Sequence, residues 1–350
     1  MDDTQTLEAR ARREGTPLID GDTATFVWKG ASRVFLQGDF QDWRGTPLPL
    51  ERVGKNLWAR SLALPEDAYV EYALQDARGR RVRDTFNKRR SDNGFGGFNH
   101  CFWMPKGQAT TLNQRVRGVP RGRVTRHQLD THEWVVGKKR AVALYAPPVP
   151  GPVPLMVVLD GDDYLERVQL PTLVDNLVAQ GRMRPVAMAF VSNGREARTA
   201  EYACSEATVA FLERRVLPLA QEKLSLVDAQ RTPGVHAVLG SSLGGLMALY
   251  VAQRLPRTFG RVLSQSGAFS IEGTDMVVFD LARRQAQPPL HVWMDCGHFE
   301  SLVDGNQRLL PVLHAAGHRV TYRTYNGGHN YPAWQCDLPA GLEELFSTSG

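Results

Sequence analysis

The sequence predicts an α/β fold with a mostly parallel sheet, preceded by a small all-β sandwich. Continuous apolar runs at 155–159 and 186–191 suit parallel strands buried on both faces. Segments with helical apolar spacing, 171–180 and 207–223, alternate with them, and a further helix beginning near Asn306 leads into the strand 319–325. Before residue 115 the pattern changes. Short segments of alternating polarity at 25–28, 33–38, 57–62 and 69–74 are separated by Gly, Pro, Asp and Asn, and their even spacing signals a β-sandwich. A length of 350 residues suits two domains, which we place at 1–115 and 116–350. The stretch 106–124, polar and rich in Gly, Arg and Thr, reads as the linker.

Composition narrows the class. Hydrophobic residues make up 42% and charged residues 23%, ordinary values for a globular chain, and no apolar stretch is long enough to span a bilayer. The start, Met1-Asp2-Asp3-Thr4-Gln5, lacks the basic-then-apolar pattern of a secretory signal, so a cytoplasmic protein is expected. Its cysteines, Cys101, Cys204, Cys296 and Cys336, form no Cys-x-x-Cys pair and are expected to be reduced. The net charge of +5 is spread along the chain without aromatic-interleaved motifs, which argues against nucleic acid and for either solubility or steering of an anionic small substrate. Its two basic clusters, 80–83 and 88–90, read as solvated loops and turns.

The most informative segment is Gly240-Ser241-Ser242-Leu243-Gly244, which follows the apolar run 235–239 and leads into a helical pattern from Gly245 to Tyr250. Strand, tight glycine-flanked turn and helix are what a nucleophile elbow requires. Ser242 is then the candidate nucleophile, and its hydroxyl needs a histidine to take the proton. His329 follows the strand 319–325 on a loop loosened by Gly327 and Gly328, and a strand 291–295 runs into Cys296-Gly297-His298-Phe299-Glu300. The order Ser, acid, His is that of α/β-hydrolases. Glu300 is the first choice of acid, with Asp295 and Asp304 as rivals. The remaining histidines read otherwise. His314 and His318 flank a helix end, His236 and His291 belong to strands, and His298 neighbours the acid. No histidine pair has metal-ligand spacing with a carboxylate, so no metal site is expected.

The residues Leu159-Asp160-Gly161-Asp162-Asp163-Tyr164, the segment 171–177, Arg198 with Glu201, Gly240 to Gly245, Ser264-Gln265-Ser266-Gly267, Gly297-x-x-Glu300 and Gly327-Gly328-His329 together carry a resemblance. The chain resembles the enterochelin (enterobactin) esterase branch of the esterase-D-like α/β-hydrolases. Val34-Phe35-Leu36-Gln37-Gly38-Asp39-Phe40-Gln41-Asp42-Trp43, with Asp84-Thr85-Phe86-Asn87, is similar to the immunoglobulin-like module that precedes that family's hydrolase domain. The resemblance implies Ser242 as nucleophile, His329 as base and Glu300 as acid. The oxyanion donors would be the backbone N–H groups of Leu243, at a helix start, and of Asp162. The implied ligand, a ferric tris-catecholate trianion, calls for guanidinium groups and aromatic walls: Arg195, Arg198, Tyr331 and Trp334. A purely structural alternative pairs Arg198 with Glu201 to cap the next helix. Tyr202 and Ser205 depart from the family's usual leucine and asparagine, which bears on the particular siderophore.

The implied function is a serine esterase that cleaves a catecholate siderophore in the cytoplasm. No cofactor is implied, because iron arrives as part of the substrate; the partner is that small molecule, with neither nucleic acid nor membrane. The alternatives are a feruloyl or acetyl-xylan esterase with a carbohydrate-binding module, and a non-catalytic hydrolase-like binder, which would need a broken triad.

Overall fold

In the computed structural model, which describes residues 3–94, 96–284 and 287–348, period-2 segments of the first module pair as two antiparallel sheets. One sheet runs Leu18–Asp20, Thr23–Lys29, Leu57–Ala63, Glu51–Gly54. The other runs Leu48–Pro49, Phe35–Gly38, Tyr69–Gln75, Phe98–Trp103, Arg90–Asp92, with Arg81–Val82 beside Tyr69–Gln75. Phe26, Leu36, Val70, Tyr72, Leu74 and Phe102 meet in one buried core, as alternation along the strands requires. Phe26 meets the rings of Tyr72 and Phe102 edge-on at 4.9 and 5.7 Å, a geometry favoured by the aromatic quadrupole. Buried Tyr72 needs a partner for its hydroxyl and donates it to Asp84 at 2.6 Å, which also accepts from Thr16. The basic clusters are a correction. Arg81–Val82 pairs with Leu74 and Gln75, and Arg90–Asp92 pairs with Phe98–His100, so both contribute short strands, where charged side chains suit an edge.

The larger module is built on eight strands: β1 (Arg123–Asp130), β2 (Lys139–Ala146), β3 (Leu155–Leu159), β4 (Ala187–Val191), β5 (His236–Ser241), β6 (Phe259–Gln265), β7 (His291–Gly297) and β8 (Arg319–Tyr325). Their order in the sheet is β1-β2-β4-β3-β5-β6-β7-β8. The β1–β2 and β2–β4 pairs are antiparallel, and β4, β3, β5, β6 and β7 run parallel. The sheet is therefore mixed, and β1 begins inside the stretch read as a linker. Strands β3, β4 and β5 are buried at every position, the burial expected of strands covered on both faces. The long helical segment 206–223 is a helix interrupted by one π-type turn at Leu212–Val216, and Leu243–Arg254 packs against β5 and β6.

The chain divides into two compact units. The first runs to Ala109 and also takes Gly297–Ser301 and Tyr325–Ala333; the second holds 110–296, 302–324 and the chain from Trp334 on. The segments that follow β7 and β8 thus pack with the β-module although they lie some two hundred residues downstream in sequence.

Candidate active site

Ser242 stands between β5 and the helix Leu243–Arg254 with φ 59° and ψ −124°. That is a region an L residue occupies only when its surroundings impose it. Here the Ser242 N–H donates to the Gln265 carbonyl at 2.8 Å, and the Ser242 carbonyl accepts from Ala268 N–H at 3.0 Å. Gly240 makes the turn possible, since a Cβ there would lie 2.3 Å from the Gly244 carbonyl oxygen. Leu243 opens the helix, so its N–H is among those with no intrahelical acceptor.

Beside the first turn of that helix lies the buried carboxylate of Asp160. It accepts from Arg198 Nε and Nη2, each at 2.7 Å, in a bidentate fork, and from Asn193 Nδ2 at 2.7 Å. Its own backbone N–H donates to the Tyr202 hydroxyl at 3.1 Å, and burial, with Asp160 nearby, holds that phenol well above its ordinary pKa. The Arg198 guanidinium also lies over the Tyr202 ring and approaches the Ser241 carbonyl at 3.4 Å. Pairing of Arg198 with Glu201 is overturned. Glu201 is taken by Arg140 at 2.7 and 2.8 Å and by the Val136 N–H at 2.9 Å, in a site where both charged side chains are almost fully buried.

The other substrate candidates fall in different surroundings. Arg195 is exposed, at φ 53°, and Asp162 is exposed in the first turn of the helix Gly161–Glu166. Tyr331 is half-buried at the start of the helix Tyr331–Leu345. Trp334 is a correction: only 4% exposed, it donates its indole N–H to Ser266 Oγ at 2.8 Å, and its carbonyl accepts from Gln265.

In the first unit His329 Nδ1 lies 2.5 Å from Glu300 Oε2. Glu300 is nearly fully buried, whereas the imidazole is 33% exposed. A carboxylate only accepts, so in this pair the proton sits on Nδ1 of His329. The second carboxylate oxygen accepts from Gly297 N–H at 2.9 Å and Tyr325 hydroxyl at 3.4 Å, which fixes the acid's orientation. The rival acids are otherwise engaged: buried Asp295 accepts from the Trp293 indole at 2.9 Å, and exposed Asp304 pairs with Arg308 at 2.8 Å. His236 and His318 accept backbone N–H groups from Leu155 and Leu290, both at 3.1 Å. Among the described residues no group of three or more His, Cys, Asp and Glu is arranged to hold a metal ion, and no helix is long and apolar enough to cross a membrane.

Three engaged side chains carry no local sequence signal of their role: Asp160 and Asp39 stand inside the motifs 159–164 and 34–43, and Asn330 follows His329. Asp39 is fully buried, and burial together with the nearby Glu71 and Glu300 carboxylates pushes its pKa well above the usual carboxylate range.

A profile of the Esterase family, described as "Putative esterase", matches residues 135–345. The iron(III) enterobactin esterase of Dickeya dadantii (strain 3937) is 26% identical over 96% of this chain and 91% of its own length. The solved structure of ferric enterobactin esterase from Salmonella typhimurium aligns with a TM-score of 0.77 at 21% identity, covering 92% of this chain and 93% of that one. The Shigella flexneri enterobactin esterase, solved in the presence of enterobactin, gives 0.76 at 20% identity and covers 92% of each chain. At these identities the likeness is one of fold.

Proposed function

We propose that this chain, which belongs to the Esterase family, is a serine esterase that hydrolyses the ester bonds of a ferric catecholate siderophore of the enterobactin type. The strained backbone of Ser242 carries the chemistry: an L residue held at φ 59° between a buried strand and a helix is a nucleophile's position. Similarity to an iron(III) enterobactin esterase along nearly the whole chain supports the substrate class.

In this reading His329 Nε2 takes the Ser242 proton as Oγ attacks the ester carbonyl. Glu300 holds the imidazole in the required tautomer and stabilises the imidazolium that forms. Charge developing on the carbonyl oxygen is met by the N–H groups of Leu243 and Asp162, the first of them at a helix N-terminus. The imidazolium returns its proton to the leaving alkoxide, and water then frees the acyl-enzyme by the same steps. No cofactor takes part; iron is carried by the substrate. Arg195 and Tyr331 supply a cation and an aromatic face for the trianion, while Arg198 acts first through Asp160. The N-terminal module is immunoglobulin-like and precedes a hydrolase domain that starts near residue 116, and iron release takes place in the cytoplasm.

The test is hydrolysis of ferric enterobactin and of a feruloylated sugar by the purified protein, with products separated by chromatography. Appearance of dihydroxybenzoyl-serine units from the siderophore, absent with Ser242→Ala, is the expected result. Turnover of the feruloylated sugar alone would replace the substrate class, and turnover of neither ester, nor of p-nitrophenyl acetate, would remove the enzyme.

A further inference from the structure

The segments carrying Glu300 and His329 pack in the same unit as the β-module, and its side chains hold both of them. Asp39 Oδ2 accepts from Asn330 Nδ2 at 3.0 Å and from Glu71 N–H at 2.7 Å, while Oδ1 accepts from the Trp43 indole at 2.7 Å. Asn330 in turn caps the following helix, its Oδ1 accepting from Ala333 N–H at 3.0 Å. Gly328, on the other side of His329, lies so close that a Cβ there would stand 2.3 Å from Asp39 Cγ. Both neighbours of the base in sequence are therefore set by one buried carboxylate. Two further aspartates act alongside it: Asp42 Oδ2 accepts from Ser301 N–H at 3.2 Å, next to Glu300, and Asp67 Oδ1 accepts from Asn326 Nδ2 at 2.7 Å. The Tyr69 N–H closes the set on the Asn326 carbonyl at 3.0 Å.

We propose that the β-module is part of the catalytic machinery, with Asp39 as the positioning residue that fixes the Gly328–Asn330 turn and hence the imidazole of His329. Burial of a carboxylate this deeply is costly unless its donors are supplied, and three are supplied here. One of the three comes from the residue next to the base. A module whose task lay only in binding a distant ligand would not need that bond. The proposal rests on the triad described above, because a positioned base matters only if His329 is the base.

Asp39→Asn, Asn330→Asp and the double variant test it with p-nitrophenyl acetate as substrate and a fluorophosphonate titrating competent serines. Asn330→Asp keeps the acceptor that caps Ala333 and loses the donor to Asp39. Since misplacing a catalytic group by about 1 Å costs on the order of 100-fold, each single variant should lose roughly 10- to 100-fold in kcat per titrated serine, with KM nearly unchanged. In the double variant the same pair is broken that either single change breaks, so its loss should be no larger than that of the worse single variant, the non-additivity of a direct pair. Single variants within about twofold of the parent, or losses that simply multiply in the double variant, would overturn the proposal. Ser242→Ala run alongside separates the two readings: if it keeps full turnover, the triad itself falls.

Discussion

In the proposed mechanism Ser242 and His329 act as one unit, so Ser242→Ala and His329→Ala should each lower turnover by about 10³-fold or more with the fold intact, read as kcat on p-nitrophenyl acetate. Glu300→Gln should cost less than either, because the histidine and the oxyanion donors stay in place; a larger loss from Asp295→Asn would reassign the acid. Arg198 deserves a different expectation from the one its sequence context suggests. Its fork is spent on a carboxylate that touches the elbow's helix, so Arg198→Ala should lower turnover of a neutral short ester as well as of the siderophore. Leaving Asp160 with a single side-chain donor should also lower the melting temperature. A loss confined to KM for the anionic substrate would instead place the guanidinium on the ligand. At this scale glycine spacing in the sequence singled out Ser242 and His329 as candidates, whereas Asp160 with Arg198 and Asp39 with Asn330 join residues 38 and 291 positions apart, and no local pattern marks such pairs.

Strand β5 carries the elbow and begins with His236, which burial, reinforced by the Arg261 charge, pushes down to about 4 from an ordinary 6.5. The folded protein keeps this histidine neutral where the unfolded chain binds a proton. Stability therefore rises with pH between about 4 and 6.5 and is lost as pH falls through that window, by up to on the order of 3 kcal/mol for this one group. His236→Asn retains an acceptor for the Leu155 N–H and cannot titrate, so urea unfolding of this variant should show a flatter pH dependence over the same window. An unchanged slope would rule out His236 as its source. Apolar runs and helical spacing placed β3, β4, β5 and the helical segments 170–179 and 206–223 within a residue or two, because burial on both faces leaves a continuous signature. Short edge strands such as Arg81–Val82 and Arg90–Asp92 were hidden, since an edge half in water tolerates the composition of a turn.

At the scale of the whole molecule, a net charge of +5 adds a long-range attraction for an anionic substrate. Raising salt from 0.05 to 0.5 M, across which the screening length falls from above to below about 10 Å, should lower kcat/KM for the ferric trianion several-fold and leave the neutral ester nearly unchanged. Equal responses would show that steering plays no part. Membership of the two units follows packing and not chain order: Glu300 and His329 belong with the β-module, although both lie far beyond the polar stretch at which the sequence divides.

By itself the sequence determined the α/β class, the all-β module before it and the sharp strand-to-helix turn at Ser242, because each rests on local periodicity or on glycine at a sharp turn. Tertiary structure alone decided that Glu300 and not Asp295 or Asp304 meets His329, that Arg198 grips Asp160, that Trp334 is buried, and that Asp39 accepts from Asn330, the residue after His329. Those outcomes depend on which side chains the fold brings within about 3 Å of one another, the range over which a hydrogen bond forms, and that proximity is set by packing among residues remote in the chain.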